Sequence, residues 1–162
     1  MKTFILHLLL SFLTIFLIKN DAPNIERPSY YAAMKGDDLS QVENQLALIS
    51  KDTANESRAF EGALLMKKAG LIKGPFKKLK LFKKGHSLLE DVLKLNTDNP
   101  ELRFLRLMIQ EKAPAIVNYR DKLEEDSKFI QSEFKNIPAE LQKIIIDYSK
   151  TSKILKPESF KT

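Results

Sequence analysis

The chain has 162 residues, a formal net charge of +6, and neither cysteine nor tryptophan. Without cysteine there are no disulfides, no thiol nucleophile, no Cys-ligated zinc and no lipid attachment through an N-terminal cysteine, so stability must come from packing. Five glycines among many Lys, Glu, Leu and Ile favour helices over short strands and tight turns.

Residues 4–18, FILHLLLSFLTIFLI, are an almost unbroken apolar run between Lys2 and Lys19. A basic start before an apolar core of about 7–15 residues describes a secretory signal, whereas a membrane-spanning helix needs about 17–25. The expectation is export to the periplasm or cell envelope. Residues 1–22 then act either as a signal peptide, cleaved near residues 20–22, or as a signal anchor. The stretch Lys19-Asn20-Asp21-Ala22-Pro23 offers a peptidase only one small residue. The rest of the chain is long enough for a single helical domain over residues 23–156 with a genuine core, and a frayed tail over 157–162.

Pro28 suits the first turn of a helix through SYYAAMK that stops at Gly36, and Asp38 or Ser40 can cap a second helix running to about Ser50. A third is predicted over Glu56–Ala69, with Ala59, Gly62 and Ala63 allowing close packing and Gly70 just past its end. The fourth runs from about Phe76 to Leu95. It sets Leu79, Phe82, Leu89 and Leu93 on one side and Lys80, Lys83, Lys84 and Lys94 on the other. Pro100 opens a helix over Glu101–Lys112. Pro114 ends that helix or starts the next, which reaches about Lys135. Pro138 opens the last, where Leu141, Ile144, Ile145, Tyr148 and Leu155 keep helical spacing. No strand signal competes. The fold class is therefore all-α, six or seven helices in antiparallel pairs.

Charge is unevenly spread. Between Gly62 and Leu89 stand eight lysines (Lys67, Lys68, Lys73, Lys77, Lys78, Lys80, Lys83 and Lys84) and no acid. This basic patch could engage an anionic envelope surface, lipid or polysaccharide, by charge alone; it could equally be a solvated helix face. Aromatic residues for base stacking are not interleaved with it, so nucleic acid is not an expected partner.

The helix after Pro100 is apolar almost all round, which places it centrally. Only Arg103, Arg106 and Gln110 form a polar stripe on it. Asp126 interrupts the apolar stripe Tyr119, Leu123, Phe129, Ile130 and Phe134 of the following helix. A buried carboxylate needs a cation, so Asp126 is expected to pair with Arg103 or Arg106. On a second reading the arginines form an anion or carboxylate-terminus site, and Arg103, Arg106, Gln110 and Tyr119 are the partner-binding candidates.

No catalytic set emerges. His7 lies in the apolar run and His86 stands alone on the lysine-rich helix; H-E-x-x-H, G-x-S-x-G and G-x-G-x-x-G are absent. Glu124, Glu125 and Asp126 point around a helix and do not converge on a metal. The expectation is a non-enzyme without cofactor or metal.

Two resemblances bear on this reading. Gly85-HSLLEDVLKLNTDNPE-Leu102 resembles the second helix and following turn of a tetratricopeptide-type repeat, with Gly85, Leu89, Val92 and Leu95 at its small and bulky positions and Asn99 and Glu101 in the turn. Thr97 stands where that repeat usually has proline, and Val92 where it usually has alanine. The lysine-rich helix, the phrase Asn99-Pro100-Glu101-Leu102-Arg103-Phe104-Leu105-Arg106, then Gln110, Pro114, Tyr119 and Glu124-Glu125-Asp126, are similar to a group of uncharacterised exported helical proteins of Bacteroidota. These likenesses imply export and a tetratricopeptide-like array. Within such an array a protein or peptide partner is expected on a concave face near Arg103, Arg106 and Tyr119.

Overall fold

In the computed structural model, residues 23–52 and 54–160 are described; the apolar run 4–18, residues 1–22 as a whole, and the end of the tail at 161–162 lie outside them. Among the described residues there are seven α-helices and no strand. They are α1 (Arg27–Lys35), α2 (Leu39–Ile49), α3 (Ser57–Leu71), α4 (Pro75–Leu95), α5 (Pro100–Lys112), α6 (Leu123–Glu133) and α7 (Ala139–Ser149). The class is all-α. None of these helices is long and apolar enough to cross a membrane.

Local chemistry sets most helix ends. The Asp38 carboxylate accepts from the Ser40 N–H at 2.8 Å and caps α2. The Asn99 side chain accepts from the Glu101 and Leu102 N–H groups at 3.0 and 3.2 Å, satisfying two of the donors that α5 leaves free at its start. Three helix ends differ from the sequence expectation. Gly70 lies inside α3, which runs on to Leu71. Pro114, read as ending one helix or starting the next, opens a short 3₁₀ turn, Ala115–Val117, that breaks at left-handed Asn118 (φ 46°), so the next helix, α6, begins only at Leu123. Asparagine tolerates that conformation better than most residues. Finally, α7 ends at Ser149, not near Leu155.

The tail is also corrected. Ser152 accepts from the N–H groups of Ile154 and Leu155 at 3.0 and 2.9 Å, which turns the chain back and buries Leu155. A 3₁₀ turn over Pro157–Phe160 comes next, and Phe160 packs on Phe134 with ring centroids 4.6 Å apart. The packed unit therefore extends to residue 160.

Helix α5 is the centre, with Leu102, Phe104, Leu105 and Leu107 fully buried. Each such side chain contributes about 1.5–3 kcal/mol relative to exposure. Around it pack α3, α4 and α6, while α1 bridges α2 and α7. Helices α3 and α4 form an antiparallel hairpin, since Glu61 meets Lys84 and Gly70 meets Lys78. The base of this hairpin is a backbone contact. A Cβ on Gly62 would stand 2.5 Å from the Gly85 carbonyl oxygen, and one on Gly85 would collide with that of Gly62. Its tip is the turn Ile72–Gly74, where Gly74 takes φ 93°, a conformation glycine adopts without a Cβ penalty.

Candidate functional site

Two arrangements compete for a functional role, a polar seam between α5 and α6 and an apolar cleft at the tip of the α3–α4 hairpin.

The seam gathers the sequence-derived binding candidates and hides them. Arg106 donates to both Asp126 oxygens, Nε at 2.7 Å and a terminal nitrogen at 2.8 Å, and with its other nitrogen to Glu90 at 3.2 Å. Arg103 donates to Asp126 and Glu125, each at 3.2 Å, and to the Thr97 carbonyl at 2.6 Å, with its guanidinium 4.2 Å from the Phe129 ring centroid. Asp126 thus meets both arginines. The Tyr119 hydroxyl donates to Glu90. Burial pulls the Arg106 pKa down, but the Asp126 hydrogen bond and charge outweigh it and leave the group firmly charged. Burial, then the Glu90 carboxylate, push the Tyr119 phenol far above its usual range.

The structure brings the candidates Arg103, Arg106, Gln110 and Tyr119 to this seam, where Gln110 is fully buried, Arg106 and Tyr119 are nearly so, and Arg103 is half-buried. The arginine donors are engaged by carboxylates and a carbonyl within the chain. Gln110 extends its amide nitrogen toward Asp121 at 3.5 Å, and its amide oxygen has no partner. Sequence reasoning missed Glu90, the second carboxylate on Arg106; its signal was an acid one helical turn after His86 and beside Leu89 on the packed face of α4.

Two other carboxylates tie distant helices together. Glu101 accepts from Arg27 through two 2.8 Å bonds and from the Tyr31 hydroxyl at 3.2 Å, joining α1 to the start of α5. Glu111 accepts from the Tyr148 and Ser152 hydroxyls at 2.8 and 2.7 Å, anchoring the exit of α7 to the end of α5.

The basic patch divides. Lys67 pairs with Asp37 at 3.2 Å, Lys68 with Glu43 at 2.8 Å and Lys84 with Glu61 at 3.2 Å. Lys78 donates only to the Gly70 carbonyl, at 3.4 Å. Among the described residues Lys73, Lys77, Lys80 and Lys83 form no ion pair, and all four are exposed. Phe76 is 87% exposed at the tip of the hairpin. His86 lies half-buried, edge-on to Tyr119 at 4.6 Å, inside the aromatic cluster with Phe82.

The cleft is the feature that sequence reasoning did not find. It encloses about 840 Å³ between the tip of the hairpin, the end of α5 and the Pro114–Val117 segment. Met34, Met66 and Met108 line it from α1, α3 and α5, with Leu79, Phe82 and Ile109. Lys35, Lys67, Lys78 and Lys112 also line it, against one acid, Asp37. Leu79 and Ile116 remain 45% and 92% exposed. No local pattern marks this site, because it is built from the ends of helices that are distant in sequence.

Among the described residues, no group of three or more His, Asp or Glu could hold a metal ion. No family model, curated protein or solved structure matches the chain.

Proposed function

We propose that the chain is an exported, non-catalytic binding module of the periplasm or cell envelope, and that the hairpin-tip cleft is its binding element. The observation that carries this reading is the cleft itself. Concave, mainly apolar sites of about 300–1,000 Å³ with a few polar groups are the usual form of a ligand site. Absence of catalysis is supported by where the buried charges lie. Arg103 and Arg106 balance Asp126 and Glu90 in the seam, and the titratable side chains at the cleft are four lysines, Asp37 and Tyr148. The lining includes no histidine and no serine or cysteine nucleophile. Export rests on residues 4–18 and on the likeness to exported helical proteins; the tetratricopeptide likeness of residues 85–102 agrees with a partner-binding role.

A photo-crosslinking side chain at Leu79, in the full chain within its native envelope, tests the reading. The expected result is a discrete crosslinked species from position 79 and none from Leu48, which is 60% exposed on α2 and does not line the cleft. Equal labelling from both positions would sink the proposal.

A second reading is favoured by one observation, the exposed Phe76 beside the unpaired Lys73, Lys77 and Lys80. An apolar tip flanked by cations suits an anionic envelope surface. Cosedimentation with anionic vesicles at low salt, lost at moderate salt and in the Lys77→Gln/Lys80→Gln variant, is its expected signature. Absence of binding at low salt removes it.

A further inference from the structure

We infer that the cleft takes one acyl-chain amphiphile with an anionic end, its chain over the methionines and its charge within reach of Lys78 and Lys112; this rests on the cleft being the binding element.

Size is the first ground. A cavity of about 840 Å³ lies within the small-molecule range. It holds a single chain, whereas a partner helix would need a long groove and a far larger contact. The second ground is what the cleft is made of. The sequence has four methionines, and every one after Met1 lines this cleft. They come from three different helices, while the core elsewhere is built from Leu, Ile, Phe and Tyr. Unbranched thioethers adapt to a flexible chain better than branched side chains do. The two polar side chains of the wall are already spent, because Tyr148 donates its hydroxyl to Glu111 and Thr151 donates to the Tyr148 carbonyl. With these uncharged groups engaged, the polar groups left at the cleft are the charged side chains, and the rest of the wall suits a hydrocarbon chain.

Charge supplies the third ground. Lys35 is paired with Asp147 at 2.6 Å, and Lys67 with Asp37. Among the described residues Lys78 and Lys112 have no carboxylate partner, and both are exposed at the cleft. Lys112 lies in the last turn of α5, where the carbonyl end of the helix favours a cation. Lys78 lies at the other kind of end. It sits in the first turn of α4, already the positive pole, in a turn with no acidic residue. No interaction along its own helix favours a cation there; its one internal contact is the Gly70 carbonyl in the last turn of α3, at 3.4 Å, which leaves ammonium hydrogens free for an anionic head group.

Calorimetric titration of the full chain with octanoate, decanoate and dodecanoate, each below its micelle concentration, tests the inference. Saturable binding at one site is expected, with affinity rising about fourfold per added methylene, which is about 0.8 kcal/mol converted at about 1.4 kcal/mol per tenfold. Dodecyltrimethylammonium is expected to bind at least about tenfold more weakly than dodecanoate, and Lys78→Gln/Lys112→Gln to weaken dodecanoate by about tenfold. Leu79→Glu, at a half-exposed position that spares the core, is expected to abolish binding. Absence of binding, affinity independent of chain length, or equal binding of the cationic amphiphile overturns the inference. So does dodecanoate binding that survives Leu79→Glu, since the amphiphile then sits elsewhere, residues 4–18 included. Crosslinking from position 79 separates the two levels. If dodecanoate fails and the crosslink persists, the amphiphile is wrong and the cleft reading stands; if position 79 also gives no discrete species, both fall.

Discussion

The base and the tip of the α3–α4 hairpin are made of the same two helices, yet they are treated oppositely. At the base, Gly62 and Gly85 let the backbones touch, Leu89 and Val92 are buried, and Glu90 reaches into the Arg106–Asp126 seam. At the tip, five lysines and Phe76 stand in solvent, no residue of α4 before Gly85 is buried, and a cleft remains open. The base satisfies its charges within the chain and tolerates no added atom. Among the described residues the tip lysines form no ion pair, and they stand beside exposed apolar surface, which is how a surface meant for another molecule looks.

The largest way to break this comparison acts on the buried side alone. All four tyrosines of the chain are buried, and burial holds each phenol above its usual range. A folded pKa above the unfolded one means that this stability is intact below about pH 10 and is lost as pH rises past it. At pH 11 each phenol costs about 1.4 kcal/mol, so the four together cost about 6 kcal/mol. Tyrosinate absorbance, free of tryptophan overlap, is expected to rise only together with loss of helical circular dichroism. Ionisation while the helices persist would contradict the burial.

Asp126→Ala comes next. It leaves the Arg106 guanidinium buried with only Glu90, and about 3–5 kcal/mol is the expected loss in urea denaturation. A loss below 1 kcal/mol, on the order of a surface pair, would mean that the seam is open to water.

Gly85→Ala tests the base directly. Its new Cβ meets the Gly62 carbonyl, and stands 2.9 Å from Met66 Cγ and 3.0 Å from Leu65 Cβ. Alanine gains about 1 kcal/mol of helix propensity, but a backbone oxygen cannot step aside, so a net loss of about 1–3 kcal/mol is expected. Gly70→Ala is the matching change near the tip. No heavy atom lies within 4 Å of its Cβ, so propensity acts unopposed. A gain of about 0.5–1 kcal/mol is expected, read as a higher melting temperature. Opposite signs at the two glycines sharpen the comparison; equal signs dissolve it.

Legibility in the sequence tracked the range of the interaction. The cap at Asp38, the helix start at Pro100 and the stop at Gly36 were readable because each acts within three or four residues. An aspartate inside an apolar stripe demanded a cation, and two arginines on the neighbouring helix were the available ones. What could not be read was which side of α5 stays covered. Arg103, Arg106 and Tyr119 look like a binding face in one dimension, while in the fold α4 brings Glu90 across to Arg106 and Tyr119. Likewise Gly85 reads as a small residue in a repeat-like pattern, while its use is contact with Gly62, which lies 23 positions earlier in the chain. Phe160 reads as tail, and it packs because Ser152 turns the chain back toward Phe134.

By itself, the sequence determined the helical class, most helix ends and the need for Asp126 to find a cation. All three arise from backbone hydrogen bonding, helical periodicity and the cost of an unpaired buried charge, which act locally or over one helix. Only the tertiary structure decided that the arginines face inward and that three methionines from three helices meet at one cleft. Both are consequences of how the ends of α1, α3, α4 and α5 are juxtaposed, and no spacing along the chain encodes that meeting.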